Sequence, residues 1–220
     1  MSKNVSGQPQ ERHIPDERRK AAMEAVLHLL STVPYDDILV ADIAAAAGMS
    51  RPLLYHYFGG KEQVTAAALH WAGERMVAGV QAAAASAGSN WLAVTAGIHA
   101  YLDNVVNRSD WHTARVRYAR LPGPPFESVR NEVRDGMLQE LHRRIAPRGG
   151  SPILRLVTLG WIDQVEAIVG EWSIMKEPSL DQVETLLCQL LLAGLQTGAA
   201  LDAATANAFQ LLTDKTVNQK

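Results

Sequence analysis

The stretch from Ile38 to Lys61, ILVADIAAAAGMSRPLLYHYFGGK, decides how this chain is read. Val40, Ile43, Ala44 and Ala47 recur at helical spacing, and Gly48-Met49 then break the pattern. A glycine at 48 can take the left-handed conformation that ends a helix, which residues with a Cβ resist. Ser50 is a good N-cap for a second helix, and Pro52 fits its first turn, where no amide donor is missed. That second helix, Arg51 to Phe58, is short and two-faced. At about 100° per residue, Leu54 and Phe58 share an inner side with Tyr55 near its edge. Pro52, Leu53, His56 and Tyr57 point the other way. Groups able to contact bases or phosphates thus face outward on a helix backed by an alanine-rich partner, the geometry of a helix-turn-helix. An ordinary helical hairpin with a solvated Tyr and His has the same outline, so geometry alone leaves both readings open.

The residue pattern separates them. Ile43-Ala44, Ala47-Gly48-Met49-Ser50, Leu54-Tyr55-His56-Tyr57-Phe58 and Lys61-Glu62, with Val64 following, resemble at fixed spacing the DNA-binding signature of the TetR family of transcriptional regulators. Two departures stand out. The Thr or Ser that usually caps the first of these helices is replaced around Leu39, which leaves Asp36 or Asp37 as alternative caps. Gly60 stands where Ser or Thr usually caps the following helix, and glycine serves there at little cost.

The resemblance implies an all-α chain. Its N-terminal three-helix DNA-binding head would carry the helix-turn-helix, and a larger helical body would bind a ligand and dimerise. The expected divisions are a disordered arm over 1–14, the head over 15–60, the body over 61–213 and a tail over 214–220. Pro15-Asp16-Glu17 starts the first helix, whose stripe of Ala22, Ala25, Val26, Leu29, Leu30 and Val33 ends at Pro34. Arg18, Arg19 and Lys20 in its opening turn either meet phosphates or face water. A long helix follows from Lys61 to about Ala87, with Val64, Ala67, Ala68 and Trp71 inward. Helical stripes then continue: Trp91 to Val105, Trp111 to Arg120, and Phe126 to Leu141. Leu121-Pro122-Gly123-Pro124-Pro125 is expected as a loop, because consecutive prolines lack amide donors and helical freedom. No strand-like alternation appears.

Ile153–Met175 and Leu180–Leu201 are apolar over more than one face, including Leu186, Leu187, Leu190, Leu191 and Leu195. Such helices are buried on more than one side. They form either a well-covered core or the seam of a homodimer, and the resemblance favours a four-helix seam. Asp202 to Lys220 reads as a fraying helix and tail.

Composition narrows the remaining classes. A chain of 220 residues, 47% hydrophobic and 20% charged, can bury one large core or two small ones. The formal net charge of −2 excludes a general polyanion binder, so any DNA contact must come from a local patch. A single cysteine, Cys188, excludes an intrachain disulfide and a multi-cysteine zinc site. His13, His28, His56, His70, His99, His112 and His142 are scattered, with no pair at metal-ligand spacing on one helix. No Gly-x-Ser-x-Gly, phosphate loop or Gly-x-Gly-x-x-Gly occurs, so no enzyme, cofactor or metal is expected. The N-terminus lacks the apolar core of a signal peptide, and the run from Leu186 to Leu201 is too short to span a bilayer. A cytoplasmic protein with no membrane contact is expected.

Three partners follow: double-stranded operator DNA, a small-molecule effector and a second copy of the chain. Ser50, Arg51, Pro52, Leu53, Tyr55, His56, Tyr57 and Lys61 are the candidate DNA contacts. Arg51 can pair with guanine, Pro52 and Leu53 can meet thymine methyls, and Lys61 can meet a phosphate. The TetR-like arrangement puts an effector between the long helix and the first body helices. Candidates there are Trp71, Arg75, His99, Asp103, Trp111, Arg115, Tyr118 and Trp161, aromatic walls with a few polar groups. The tryptophans are equally suited to filling a core. The expected function is a repressor released from a palindromic operator by its ligand. The alternative is a DNA-binding regulator whose body only dimerises or binds another protein.

Overall fold

In the computed structural model, residues 16–107, 114, 121–175 and 177–214 are described. The expected arm over 1–14, the helix expected around Trp111 to Arg120 and the end of the tail lie outside the described residues. Those that are described form helices α1 (Asp16–Thr32), α2 (Val40–Ala46), α3 (Arg51–Phe58), α4 (Lys61–Ala85) and α5 (Asn90–Asn107). α6 (Pro124–Ile145), α7 (Pro152–Met175), α8 (Leu180–Ala199) and α9 (Ala203–Thr213) complete them, and no strand occurs among the described residues.

Two apolar cores share one long helix. The head core gathers Val26, Leu27 and Leu30 of α1, Ile43 and Ala44 of α2, and Leu54 and Phe58 of α3 around Val64, Ala68, Leu69 and Ala72 of α4. The body core takes over from Met76 onward on the same helix. With 25 residues, α4 reaches about 37 Å, long enough to floor both. Alanines at 22, 44, 66, 68 and 72 let the head helices approach closely. Each fully buried leucine there contributes about 1.5–3 kcal/mol by leaving water.

The stripe expected on α1 passed over Leu27, which is completely buried. The long stripe on α4 likewise takes in Leu69 and extends beyond the expected Trp71 to Ala72 and Met76. Asp36 and Asp37 do not cap α2. They lie in a short 3-10 turn, Tyr35–Asp37, and the N-cap is Leu39. Leucine has no acceptor, so the only side-chain help is Asp42, whose carboxylate accepts the Leu39 N–H at 2.9 Å. Pro124-Pro125, expected in a loop, instead open α6 behind Gly123. Proline costs nothing in a first turn, where the missing donor has no partner to lose.

α7, α8 and α9 complete the body. Leu187 is wholly buried in the body core, so it belongs inside one chain and not to a seam between two. The outward positions are Leu156, Leu186 and Leu201, at 67%, 45% and 72% exposure. Nor is α9 a fraying end. Asp202 caps it, accepting from Thr205 N–H at 2.8 Å, and Ala208 and Leu212 are buried.

Candidate nucleic-acid interface and effector cavity

The turn between α2 and α3 is built from backbone hydrogen bonds. Met49 N–H donates to Ala44 carbonyl at 2.8 Å and Gly48 N–H to Ala45 carbonyl at 3.1 Å, with Gly48 at φ 61°. This paired arrangement satisfies the last carbonyls of α2 and needs a residue that tolerates the left-handed region. Ser50 then accepts the Leu53 N–H at 3.4 Å, and α3 begins. Gly59, at φ 87°, closes α3 through its N–H to Tyr55 carbonyl at 2.8 Å.

The eight residues of α3 sort cleanly by exposure. Leu54 and Phe58 are buried. Arg51, Pro52, Tyr55 and His56 are exposed, while Leu53 and Tyr57 are half-buried. Tyr55 and Tyr57 therefore exchange the places expected for them. Tyr55 is 52% exposed, whereas Tyr57 packs against the head core with the His56 ring 5.0 Å away, edge-on. Tyr55 and Tyr57 each lie about 80° from the Leu54–Phe58 line, on opposite sides, and the head core meets the Tyr57 side.

Lys61 begins α4 behind Gly60, which offers no side-chain cap. Its ammonium lies 4.2 Å from the Tyr35 ring centroid and donates to Asp36 carbonyl at 3.4 Å. Burial, then Glu62 and Asp36, hold the Tyr35 hydroxyl above its usual pKa, so the ring stays neutral beneath the cation. Arg18, Arg19 and Lys20 are exposed at the opening of α1. Arg19 sits 5.5 Å over the Phe58 ring, and Lys20 pairs with Glu24 at 3.7 Å.

A cavity of about 90 Å³ lies in the body between α4, α5, α6 and α7. Its walls are Met76, Val80, Ala84, Ala93, Val94, Gly97, Ile98, Tyr101, Met137, Leu141, Trp161, Ile162 and Val165. Among the described residues, Glu140, Arg144 and Glu166 supply its charges. Glu140 is 4% exposed, and its carboxylate accepts from Arg144 Nε at 3.1 Å and from Arg143. A buried carboxylate with both oxygens engaged is a fixed polar feature in an apolar wall.

Of the candidate effector residues, Trp161 lines this cavity, its Nε1 donating to Leu187 carbonyl at 2.9 Å. Trp71, Arg75, His99 and Asp103 are not brought to it. Trp71 packs on the head core with the Arg75 guanidinium 5.2 Å over its ring. His99 and Asp103 lie on the outer face of α5, His99 bonded to Glu184 at 2.9 Å and Asp103 accepting from Asn107. Trp111, Arg115 and Tyr118 lie outside the described residues. The charged lining went unnoticed in the sequence, although Glu140 shares a helical face with Val133, Met137 and Leu141. A carboxylate on an apolar stripe was the available signal.

Residues 22–68 match the family model described as bacterial regulatory proteins, tetR family. The match is to the head alone, 47 of the 220 residues. The TetR-type fold also extends over the body. A TetR-family transcriptional regulator from Streptomyces coelicolor is 24% identical, with 91% of this chain and 90% of that one covered, at a TM-score of 0.75. The fatty acid degradation regulator FadR from Bacillus halodurans is 19% identical over 84% of this chain and 99% of its own, at 0.68. FadR from Bacillus subtilis, solved in complex with stearoyl-CoA, is 16% identical over 80% and 98%, at 0.67. No curated protein sequence matches the chain. The all-α fold class expected from the sequence, a helical head followed by a larger helical body, is the one the chain has. Among the described residues no helix is long and apolar enough to cross a membrane, and no three His, Cys, Asp or Glu side chains are grouped to hold a metal. Cys188 is buried, and burial pushes its thiol up to about 11, so it is an inert core residue.

Proposed function

We propose that this regulator is a repressor that binds a palindromic operator as a homodimer and releases it when a small molecule enters the body. The observation that carries the reading is the cavity on α4, the same helix whose first turn supports the DNA-facing head. A body that only dimerised would have no need of an apolar cavity with a fixed polar group in its wall. The ligand we infer has an apolar frame and one polar end for the Glu140–Arg144 side. The B. subtilis FadR complex with stearoyl-CoA supports that class.

The second copy is expected on the outer face of α7 and α8. A groove there is lined by Ile153, Leu156, Gly160, Leu190, Ala193, Gly194, Thr197 and Leu201, small residues flanked by exposed leucines. Pairing would set two α3 helices against successive major grooves, about 34 Å apart. The ligand would favour dimers with a different spacing, working with the DNA in the cytoplasm.

In this reading Arg51 reads a base, Pro52 and Leu53 lie on the groove floor, and Ser50, Tyr55, His56, Tyr57 and Lys61 hold the backbone. Tyr57 is the least accessible of these and would contact DNA only by its rim. The test uses a duplex selected from random DNA by the purified protein, with single-base variants of it at fixed salt. Arg51→Ala should lose about 1–3 kcal/mol at one base pair and relax preference there alone. Uniform weakening would assign Arg51 to a phosphate. A compound screen then tests release: operator and ligand must weaken each other by one common factor. A ligand whose affinity ignores saturating operator would sink the mechanism.

A further inference from the structure

Among the described helices, α4 and α6 alone have side chains in both apolar cores. They cross with little clearance. A Cβ on Gly73 would lie 2.2 Å from Val133 Cγ2, and one on Gly136 would lie 3.4 Å from the Val77 methyls. Each helix thus sets a valine against the other's glycine, and α6 is held to α4 at its middle. Its two arms reach opposite ends of the molecule. On one side Met137, Glu140, Leu141 and Arg144 line the cavity. On the other, Phe126 is buried in the head core. Fourteen residues of helix, about 21 Å, separate Phe126 from Glu140.

The head end of α6 meets one particular ring. Phe126 stands edge-on to Tyr35, with centroids 6.0 Å apart and planes at 87°. Gly123, at φ 117°, lets the chain enter α6 tight against the first turn of α4, where a Cβ would lie 3.1 Å from Glu62 Oε1. Tyr35 carries the Lys61 ammonium 4.2 Å from its centroid. A cation held over a ring follows the ring, because the attraction falls off within a few ångströms.

We propose that Phe126 and Tyr35 are positioning residues through which α6 relays the state of the cavity to Lys61. The proposal rests on the reading above, in which the cavity takes the effector and Lys61 meets a phosphate. A filled cavity pushes the Met137–Leu141 arm of α6 outward about its crossing with α4. Phe126 then shifts against Tyr35, and Lys61 leaves its phosphate-facing position. Packed interfaces respond to such pushes by switching between discrete arrangements, which amplifies a small displacement. The competing route is α4 alone, which runs unbroken from cavity to head.

The test uses a cavity-filling substitution as a permanent stand-in for ligand. Ala93→Leu enlarges a wall residue that is buried and faces the cavity. Where it loses a cooperative melt, Ala84→Leu on the adjoining wall replaces it. Operator affinity and its salt dependence are measured on the selected duplex, in the wild-type background and with Phe126→Leu, which keeps an apolar group but removes the ring edge. The expected result is weakening by about tenfold, within the usual range of allosteric coupling. The salt slope should fall by about 1.8, the signature of one lost phosphate contact in each subunit of the dimer. In the Phe126→Leu background both effects should vanish, and Tyr35→Phe, which keeps the ring, should behave as wild type. Equal weakening in both backgrounds overturns the relay and assigns coupling to α4. No weakening in either background overturns it as well. Selection of no duplex at all would remove the reading of the head first, and the relay with it.

Discussion

The head and the body are built from the same element and differ in where their information lies. In the head, the outward face, the inward face and both helix caps of α3 fall within Gly48 to Gly60, and neighbours in sequence are neighbours in space. In the body, the cavity draws on Met76, Ile98, Leu141 and Trp161 from four helices, and none of these positions is distinguished within its own helix. A local site leaves a pattern that one sequence can show. A site made by converging helices leaves only stripes, and a stripe does not say which neighbour it faces.

The largest expected effect tests that contrast on α7 and α8. Leu187→Glu places a charge inside the body core and should cost on the order of 5 kcal/mol or more, enough to unfold the body. Leu156→Glu, on the exposed groove, should leave the melting curve of the chain nearly intact and shift sedimentation from dimer to monomer. Calorimetry and sedimentation on the two variants separate core from seam. If Leu156→Glu remains a dimer, the second copy docks elsewhere.

A second pair, on α8 alone, marks the limit of the sequence. Leu186 and Leu187 are adjacent, equally apolar and equally central to a broad stripe, yet one is 45% exposed and the other wholly buried. The all-α class, the helix-turn-helix and most helix bounds were legible because spacing and caps are local. The exchange of Tyr55 and Tyr57 was not, since the two flank the Leu54–Phe58 line about equally and only the neighbouring helices decide between them. Pro124-Pro125 misled because proline rules out a helix interior but favours a helix start, and the sequence alone does not place the boundary. For the effector, aromatic and polar residues drew the eye to His99 and Asp103, which the fold turns outward. The described lining of the cavity is mostly aliphatic, with Tyr101, Trp161 and, on the inner face of α6, Glu140 among it.

Two smaller effects probe how the halves are joined. Leu27→Ala should destabilise the head by about 2–5 kcal/mol, the range for emptying a fully buried leucine site. The loss should be visible in thermal melts as an early transition of α1 to α3, with the body unmoved if the two cores melt separately. Gly73→Ala acts at the crossing itself. The added methyl meets Val133, whose branched side chain has few rotamers to retreat into. Overpacking costs about 1–3 kcal/mol, and the helix propensity of alanine offsets about 1, so a net loss near 1 kcal/mol is expected. A gain in stability would show that the α4–α6 contact is looser than the 2.2 Å approach implies.

The smallest effect is a pH dependence within the body, where two histidines pull in opposite directions. His99 Nδ1 lies 2.9 Å from Glu184 Oε2, joining α5 to α8. That hydrogen bond, and to a lesser degree the charges of Glu184, Asp103 and Asp181, raise the His99 pKa above 6.5 against a lowering by burial. A group whose pKa rises on folding contributes fully below its unfolded value, and the contribution is lost as pH rises through the folded value. His142 is the reverse. Burial, then the nearby Arg155, lowers its pKa below 6.5. Thr158 donates to Leu154 carbonyl at 2.8 Å, so the neutral His142 ring is the donor to Thr158, also 2.8 Å away. Its contribution is present above 6.5 and is lost as pH falls through the lower folded value. The two together predict a shallow stability maximum near the ordinary histidine pKa. His99 is 59% exposed, so its share is a few tenths of a kcal/mol at most, about the worth of a surface pair. Melting temperatures from pH 5 to 8 should therefore show His99→Asn flattening the alkaline side alone and His142→Asn the acidic side alone. An alkaline limb that survives His99→Asn would mean that a different titrating group produces it and that the His99–Glu184 pair contributes nothing measurable.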